Sequence, residues 1–374
     1  MSSDWSAWLS RWTDAGLVDA ATAERIRTFE AAHAGSNRLR WPILIALAFG
    51  ALMIGGGVLL FVAANWDMIS PASRFALVLG LVAIFHLAGA VAAAPFRGMS
   101  EALHAIGTVA LGAGIALSGQ IFHLDEHWPA GIMLWAAGAG IAWLMLRHTP
   151  QLALVALLTP AWLVSEWVAA TATGRGAYRG GDVPAAGVLM LALAYFTAAA
   201  PGTPSQTRRA LVWLGGIALA VAAPAVAAFT ADRHDMAGIS TGLWTLGWIV
   251  AFAAPLALSV VLRGTDAWPN AVAAVWMAAL VFVPGLAREV SAFVWWGLGA
   301  IGLVAWGVRD GRVERINLGA AAFAATVLFF YFSRVMDKMG RSASLLTLGL
   351  LFLVGGWALE RMRRRLVERS REER

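Results

Sequence analysis

The sequence predicts an all-α fold: a polytopic integral membrane bundle of about twelve transmembrane helices behind a small N-terminal amphipathic hairpin. Three observations predict it. Hydrophobic residues make up 60% of the chain and charged residues only 13%, whereas a soluble domain carries about 25% charge. Apolar runs of about 20 residues recur from end to end, each long enough as a helix to cross roughly 30 Å of hydrocarbon. The chain also holds 39 Gly and 19 Trp; small residues let membrane helices approach closely, and Trp favours the interface. A β-barrel is excluded, because its strands alternate over about 10 residues.

Taken in order, residues 1–37 are polar and mixed in charge, and they predict a helical hairpin on the cytoplasmic side. Trp5, Trp8, Leu9 and Trp12 fall on one helical stripe. Gly16 suits a C-terminal stop, and Asp19 suits the cap of a second helix carrying Ile26 and Phe29. Such a stripe fits the membrane surface, and it also fits a cytoplasmic protein partner. No short apolar core with a cleavage site is present, so the first span, preceded by Arg38 and Arg40, is expected to act as an uncleaved insertion signal.

The transmembrane bundle is expected over 38–360. Its first six spans are 42–64, 72–94, 101–123, 129–146, 150–170 and 184–200; the other six are 208–230, 240–262, 267–284, 289–308, 315–333 and 342–359. The tail 361–374, RMRRRLVERSREER, reads as a basic stop-transfer anchor with attraction to anionic lipid. With twelve spans, both termini share a side. That side collects twenty of the 28 basic residues, so the positive-inside rule predicts cytoplasmic termini. The rule also accounts for the net charge of +6 without nucleic acid as a partner.

Polar groups converge at the outer ends of the first, third and fifth spans. Asn65, Trp66 and Asp67 follow the first; Gln120, His123, Asp125, Glu126 and His127 follow the third; Glu166 lies near the end of the fifth. Ionisable groups at membrane depth are costly and tend to face a cavity or each other, which makes this set the candidate ligand-binding site. His123 and His127 are one helical turn apart and could share a cation, but Pro129 and the polar run imply a turn there, so no metal is assigned. Gln120 shares its helix with two rows of small residues, Ala110, Gly114, Ser118 and Gly112, Ala116, which admit a close helical neighbour. His86 and His104 read as single packing histidines, with a proton relay as the alternative.

What is missing narrows the chemistry. The chain has no Cys, which removes thiolate nucleophiles, Cys metal sites and disulfides. GxxxxGK[ST], HExxH and GxSxG are all absent, and the outer loops are short. No catalytic residue and no cofactor are assigned.

The Trp12-to-Gly16 turn, the span GALMIGGGVLLFVAANWD (Gly50 to Asp67) and the stretch GQIFHLDEHWPAGIMLW (Gly119 to Trp135) together carry a resemblance. Over about residues 8–150 the chain resembles the prokaryotic predicted membrane proteins grouped as domain of unknown function 2157. In that family the Asn-Trp-Asp and Gln-Ile-Phe-His patterns recur at similar places. The resemblance implies a bacterial inner-membrane protein and adds weight to Asn65, Trp66, Gln120 and His123, but it supplies no reaction.

Three function classes follow. One is binding or transport of a small molecule or lipid through the outward polar site. Another is a non-transporting sensor or assembly protein signalling through the hairpin. The third is a membrane enzyme on a lipid-linked substrate, with His123, Glu126 or Asp67 as acid or base.

Overall fold

The computed structural model describes residues 5–34, 70–94, 96–121, 127–172, 179–199, 205–231, 238–283, 285–287 and 289–335, with isolated positions at 53 and between 349 and 361. The chain divides into two compact units, Met1–Arg74 and Phe75–Arg374.

The first unit contains the hairpin, α1 (Trp5–Asp14) and α2 (Ala20–Ala34). Gly16, at φ +71°, ends α1 in the left-handed conformation that glycine adopts without a Cβ penalty. The amide of Leu17 reaches back to the Trp12 carbonyl at 2.9 Å, satisfying an end-of-helix acceptor. Asp19 caps α2 by accepting from the Thr22 amide at 2.8 Å. Those donors hold the Asp19 carboxyl below the usual carboxylate range. Leu9 and Ala23 are buried.

The second unit is an all-α bundle. Its early helices are α3 (Pro71–Ala92), α4 (Arg97–Ile121), α5 (Pro129–Leu146), α6 (Thr149–Thr171) and α7 (Asp182–Phe196). They are followed by α8 (Gln206–Ala231), α9 (Thr241–Arg263), α10 (Trp268–Phe282), α11 (Glu289–Arg309) and α12 (Val313–Phe330). Among the described residues 8 helices are long and apolar enough to cross a membrane, and Asp182–Phe196 is a shorter apolar one. The outer expected spans, 42–64 and 342–359, lie almost wholly outside the described residues.

The longest apolar run, Thr241–Phe282, has 42 residues. As one straight helix it would measure about 63 Å, twice the hydrocarbon thickness. It folds back instead. Gly264, at φ +61°, closes α9, a 3-10 turn covers Gly264–Ala267, and α10 starts at Trp268. The Phe282 ring at the end of α10 then lies 4.9 Å from the Trp248 ring near the start of α9.

One of the two shortest of these helices is the centre of the bundle. α7 is apolar all round, and a helix with no polar face belongs inside. Val183, Ala186, Leu189, Met190, Ala192 and Phe196 are all buried in the main core, with Trp167, Val226, Trp248 and Met277 around them. Close approach there needs a missing side chain. A Cβ at Gly215 of α8 would run into the Ala192 carbonyl and the Phe196 backbone of α7. Elsewhere the lipid-facing surface stays apolar; Val91, Met145, Val221 and Val261 are exposed, as expected where lipid is the solvent.

Candidate functional site

Of the eight residues predicted to bind ligand, the structure brings two together. His127 sits two residues before α5, and Glu166 lies in the last third of α6. His127 Nε2 and Glu166 Oε2 are 2.6 Å apart, with side chains 58% and 33% exposed. The other carboxylate oxygen accepts from the Trp162 indole at 2.8 Å. This hydrogen bond becomes an ion pair when the imidazole is protonated, and it ties the start of α5 to the end of α6. Gln120 lies in α4, with its side chain outside the described residues. Asn65, Trp66, Asp67, His123 and Glu126 lie outside them altogether, as does Asp125. The two rows of small residues on α4 do admit close neighbours: Gly112 lies against Trp135 of α5, and Gly114 against Val78 of α3.

Glu166 is also a wall residue of a crevice of about 560 Å³ between α6, α7 and α9. Most of its other walls are apolar, among them Leu163, Trp167, Val188, Leu191, Leu246 and Ala254. Pro160 of α6 and Pro255 of α9, each inside its helix, both line it. A proline inside a helix cannot donate to the carbonyl four residues back, so Pro160 leaves Ala156 without its helical partner. The Tyr195 hydroxyl supplies the missing donor at 3.2 Å, and Tyr195 lines the same crevice. The space therefore runs from a carboxylate near one end of the bundle to a phenol near the other.

Residues 10–152 match the family model DUF2157, a predicted membrane protein. No curated protein and no solved structure matches the chain.

The DUF2157 region contains a polar cluster that sequence reasoning had scattered. His86 of α3 and His104 of α4 have ring centres 5.3 Å apart, and His104 is 5.6 Å from His148 in the turn before α6. Gln151 of α6, fully buried, donates to the His104 carbonyl at 3.0 Å and to the Thr108 hydroxyl at 2.9 Å. The Trp135 indole donates to the Thr108 carbonyl at 2.8 Å. His86 and His104 are thus not single packing residues. Their pairing spans two helices, and only the shared apolar context of the two positions hinted at it.

A second cluster lies beyond the DUF2157 region. Asp310, between α11 and α12, accepts from Arg263 Nη2 at 2.8 Å, from Arg315 Nη1, and from the Trp306 indole at 3.1 Å. The same arginines donate to the Thr197 carbonyl past the end of α7, at 2.8 and 3.3 Å. Asn270 of α10 donates to the Thr197 hydroxyl at 3.0 Å. Burial raises the Asp310 pKa, but the hydrogen bonds from Arg263 and Arg315 outweigh it and hold the carboxyl below its ordinary value. Arg263 and Arg315 are among the basic residues that the positive-inside count places in loops on the side of the termini. Their side chains are 2% exposed, because Thr197 past the end of α7, Trp306 of α11 and Asp310 all meet on them.

Proposed function

We propose that this membrane protein binds an amphiphile, with the apolar chain in the α6/α7/α9 crevice and the polar end at Glu166, His127 and Trp162. The single observation that carries the reading is a largely apolar crevice of about 560 Å³ with one carboxylate in its wall, the hydrogen-bonded Glu166. That volume falls within the roughly 300–1,000 Å³ of ordinary ligand pockets. Moving an acyl chain from lipid into an apolar wall gains little, because both are equally apolar. Selection must then come from the polar end. A carboxylate there suits a head group that carries a cation or hydroxyl donors. With the arginine-rich connections on the cytoplasmic side of a bacterial inner membrane, this mouth faces outward.

The test is lipid capture by the full chain purified in mild detergent. Lipids retained by the protein are identified by mass spectrometry and by labelling with a lipid carrying a photoreactive acyl chain. Ala254→Trp fills the crevice and should abolish chain labelling. Glu166→Gln should keep the labelling while broadening the head groups retained. If both variants hold the same lipids in the same amounts as wild type, the crevice is only a packing gap and the proposal fails.

A further inference from the structure

His86, His104 and His148 come from three different elements, yet their rings stand in one row. The Nδ1 atom of each is buried without a hydrogen-bond partner among the described residues, and so are Ser100 Oγ and Gln151 Oε1. These are five of the eight such side-chain atoms found there. Buried polar atoms left unpaired are costly, so five gathered in one place mark a site. The backbone makes room for the rings. A Cβ at Gly89 would meet the His104 ring at 2.9 Å, and one at Gly107 would run into His86.

The row is not arranged for a metal: among the described residues no three His, Asp or Glu side chains are placed to hold one. Nor, among the described residues, does a carboxylate neutralise it. Glu101, one turn before His104, pairs with Arg97 at 3.2 Å. Arg147 lies 5.2 Å from the Trp143 ring, and Arg208 of α8 donates to the Ala198 carbonyl at 3.4 Å. Among the described residues, the titratable groups that act on His104 are His86 and His148.

We propose that His86, His104 and His148 form one proton-binding site, in which a single proton is held among three imidazoles. The proton adds to the lone pair of a ring nitrogen; the N–H so formed donates to a neighbouring ring or to the Gln151 carbonyl oxygen. His148 lies in the Arg147–His148 turn between the ends of α5 and α6, whereas His86 and His104 lie within helices, so it is the ring that exchanges the proton with water. A second proton is opposed by the first. At an effective dielectric of about 20, like charges on adjacent rings 5.3 Å apart oppose each other by about two pH units, and charges on the two outer rings, at roughly twice that distance, by about one. The site lies at the opposite end of α6 from Glu166 and does not depend on the amphiphile reading.

The experiment is a histidine 15N NMR titration of the full chain in lipid nanodiscs, with His127 as an internal reference. In wild type the row should titrate in coupled steps, the first two about one pH unit apart. His104→Gln removes the middle ring, and only the weaker coupling of about one pH unit between His86 and His148 should then remain. Should that variant not fold, His86→Asn leaves a two-ring row whose coupling must persist. Three independent curves in wild type, unchanged by either substitution, overturn the proposal. So does the absence of any protonation of these rings between about pH 4 and pH 9. A melting shift with Zn2+ or Ni2+ that wild type shows and His86→Asn lacks would make the row a metal site instead, which also overturns it.

Discussion

Replacing Asp310 by Asn tests the arginine cluster most sharply. The carboxylate is 9% exposed and lies between two guanidiniums whose side chains are 2% exposed. All three of its donors, from Arg263, Arg315 and Trp306, converge on one oxygen, Oδ2. Asn keeps an acceptor there but removes the negative charge, leaving two buried cations facing each other. Removing one partner of a buried ion pair costs about 3–5 kcal/mol. The carbonyl of Thr197 still receives both arginines, so the lower end, about 3 kcal/mol, is expected here. At about 2–4 °C per kcal/mol that is a melting point lower by about 6–12 °C. Tryptophan fluorescence of the purified protein would follow the melt.

The pH dependence has a definite sign. The folded carboxyl titrates below its ordinary value, so its stabilisation is complete above the unfolded pKa of about 3.9 and is lost only as pH falls through the folded value. The gap between wild type and Asp310→Asn should therefore stay constant from about pH 5 to pH 8 and close only in strong acid. An apolar triple replacement, Arg263→Met with Asp310→Leu and Arg315→Met, should recover much of the loss, since a whole buried network can be exchanged for hydrophobic packing. A cost within about 0.5 kcal/mol of zero, or one that vanishes in molar salt, would show a solvated surface pair and refute the reasoning.

Two further substitutions test the packing. Tyr195→Phe leaves the Ala156 carbonyl without a donor and should cost about 1–3 kcal/mol. In a Pro160→Ala background, where the helix supplies its own N–H, the same change should cost much less; an unchanged cost in that double-mutant cycle would mean that the hydroxyl is not answering the proline. Gly215→Ala should destabilise by about 1–3 kcal/mol, because the added methyl meets α7 backbone that has no rotamer to yield. At Gly80, with nothing within 4 Å of the added atom, the same replacement should be neutral or gain about 0.5–1 kcal/mol in thermal denaturation. Equal effects at the two glycines would sink the close-approach argument.

Much of this molecule is a property of runs along the chain, and runs are legible in sequence. Expected spans 72–94, 129–146, 150–170 and 240–262 reappear as Pro71–Ala92, Pro129–Leu146, Thr149–Thr171 and Thr241–Arg263. The reason is that bilayer thickness sets a length threshold, which apolar composition alone can meet. Local chemistry was legible too: Gly16 ends α1, Asp19 caps α2, and the 42-residue run is divided between the expected spans 240–262 and 267–284. What only the tertiary structure decided are the pairings across helices. Nothing local distinguishes Arg263 and Arg315, buried on Asp310, from Arg97, which lies at the surface. Nothing local joins His86 to His104 and His148, or His127 to Glu166, 39 residues away. Hydropathy measures how a residue meets lipid. Which residue it meets inside the bundle depends on helix rotation and neighbour choice, and those follow from packing contacts spread over many distant side chains.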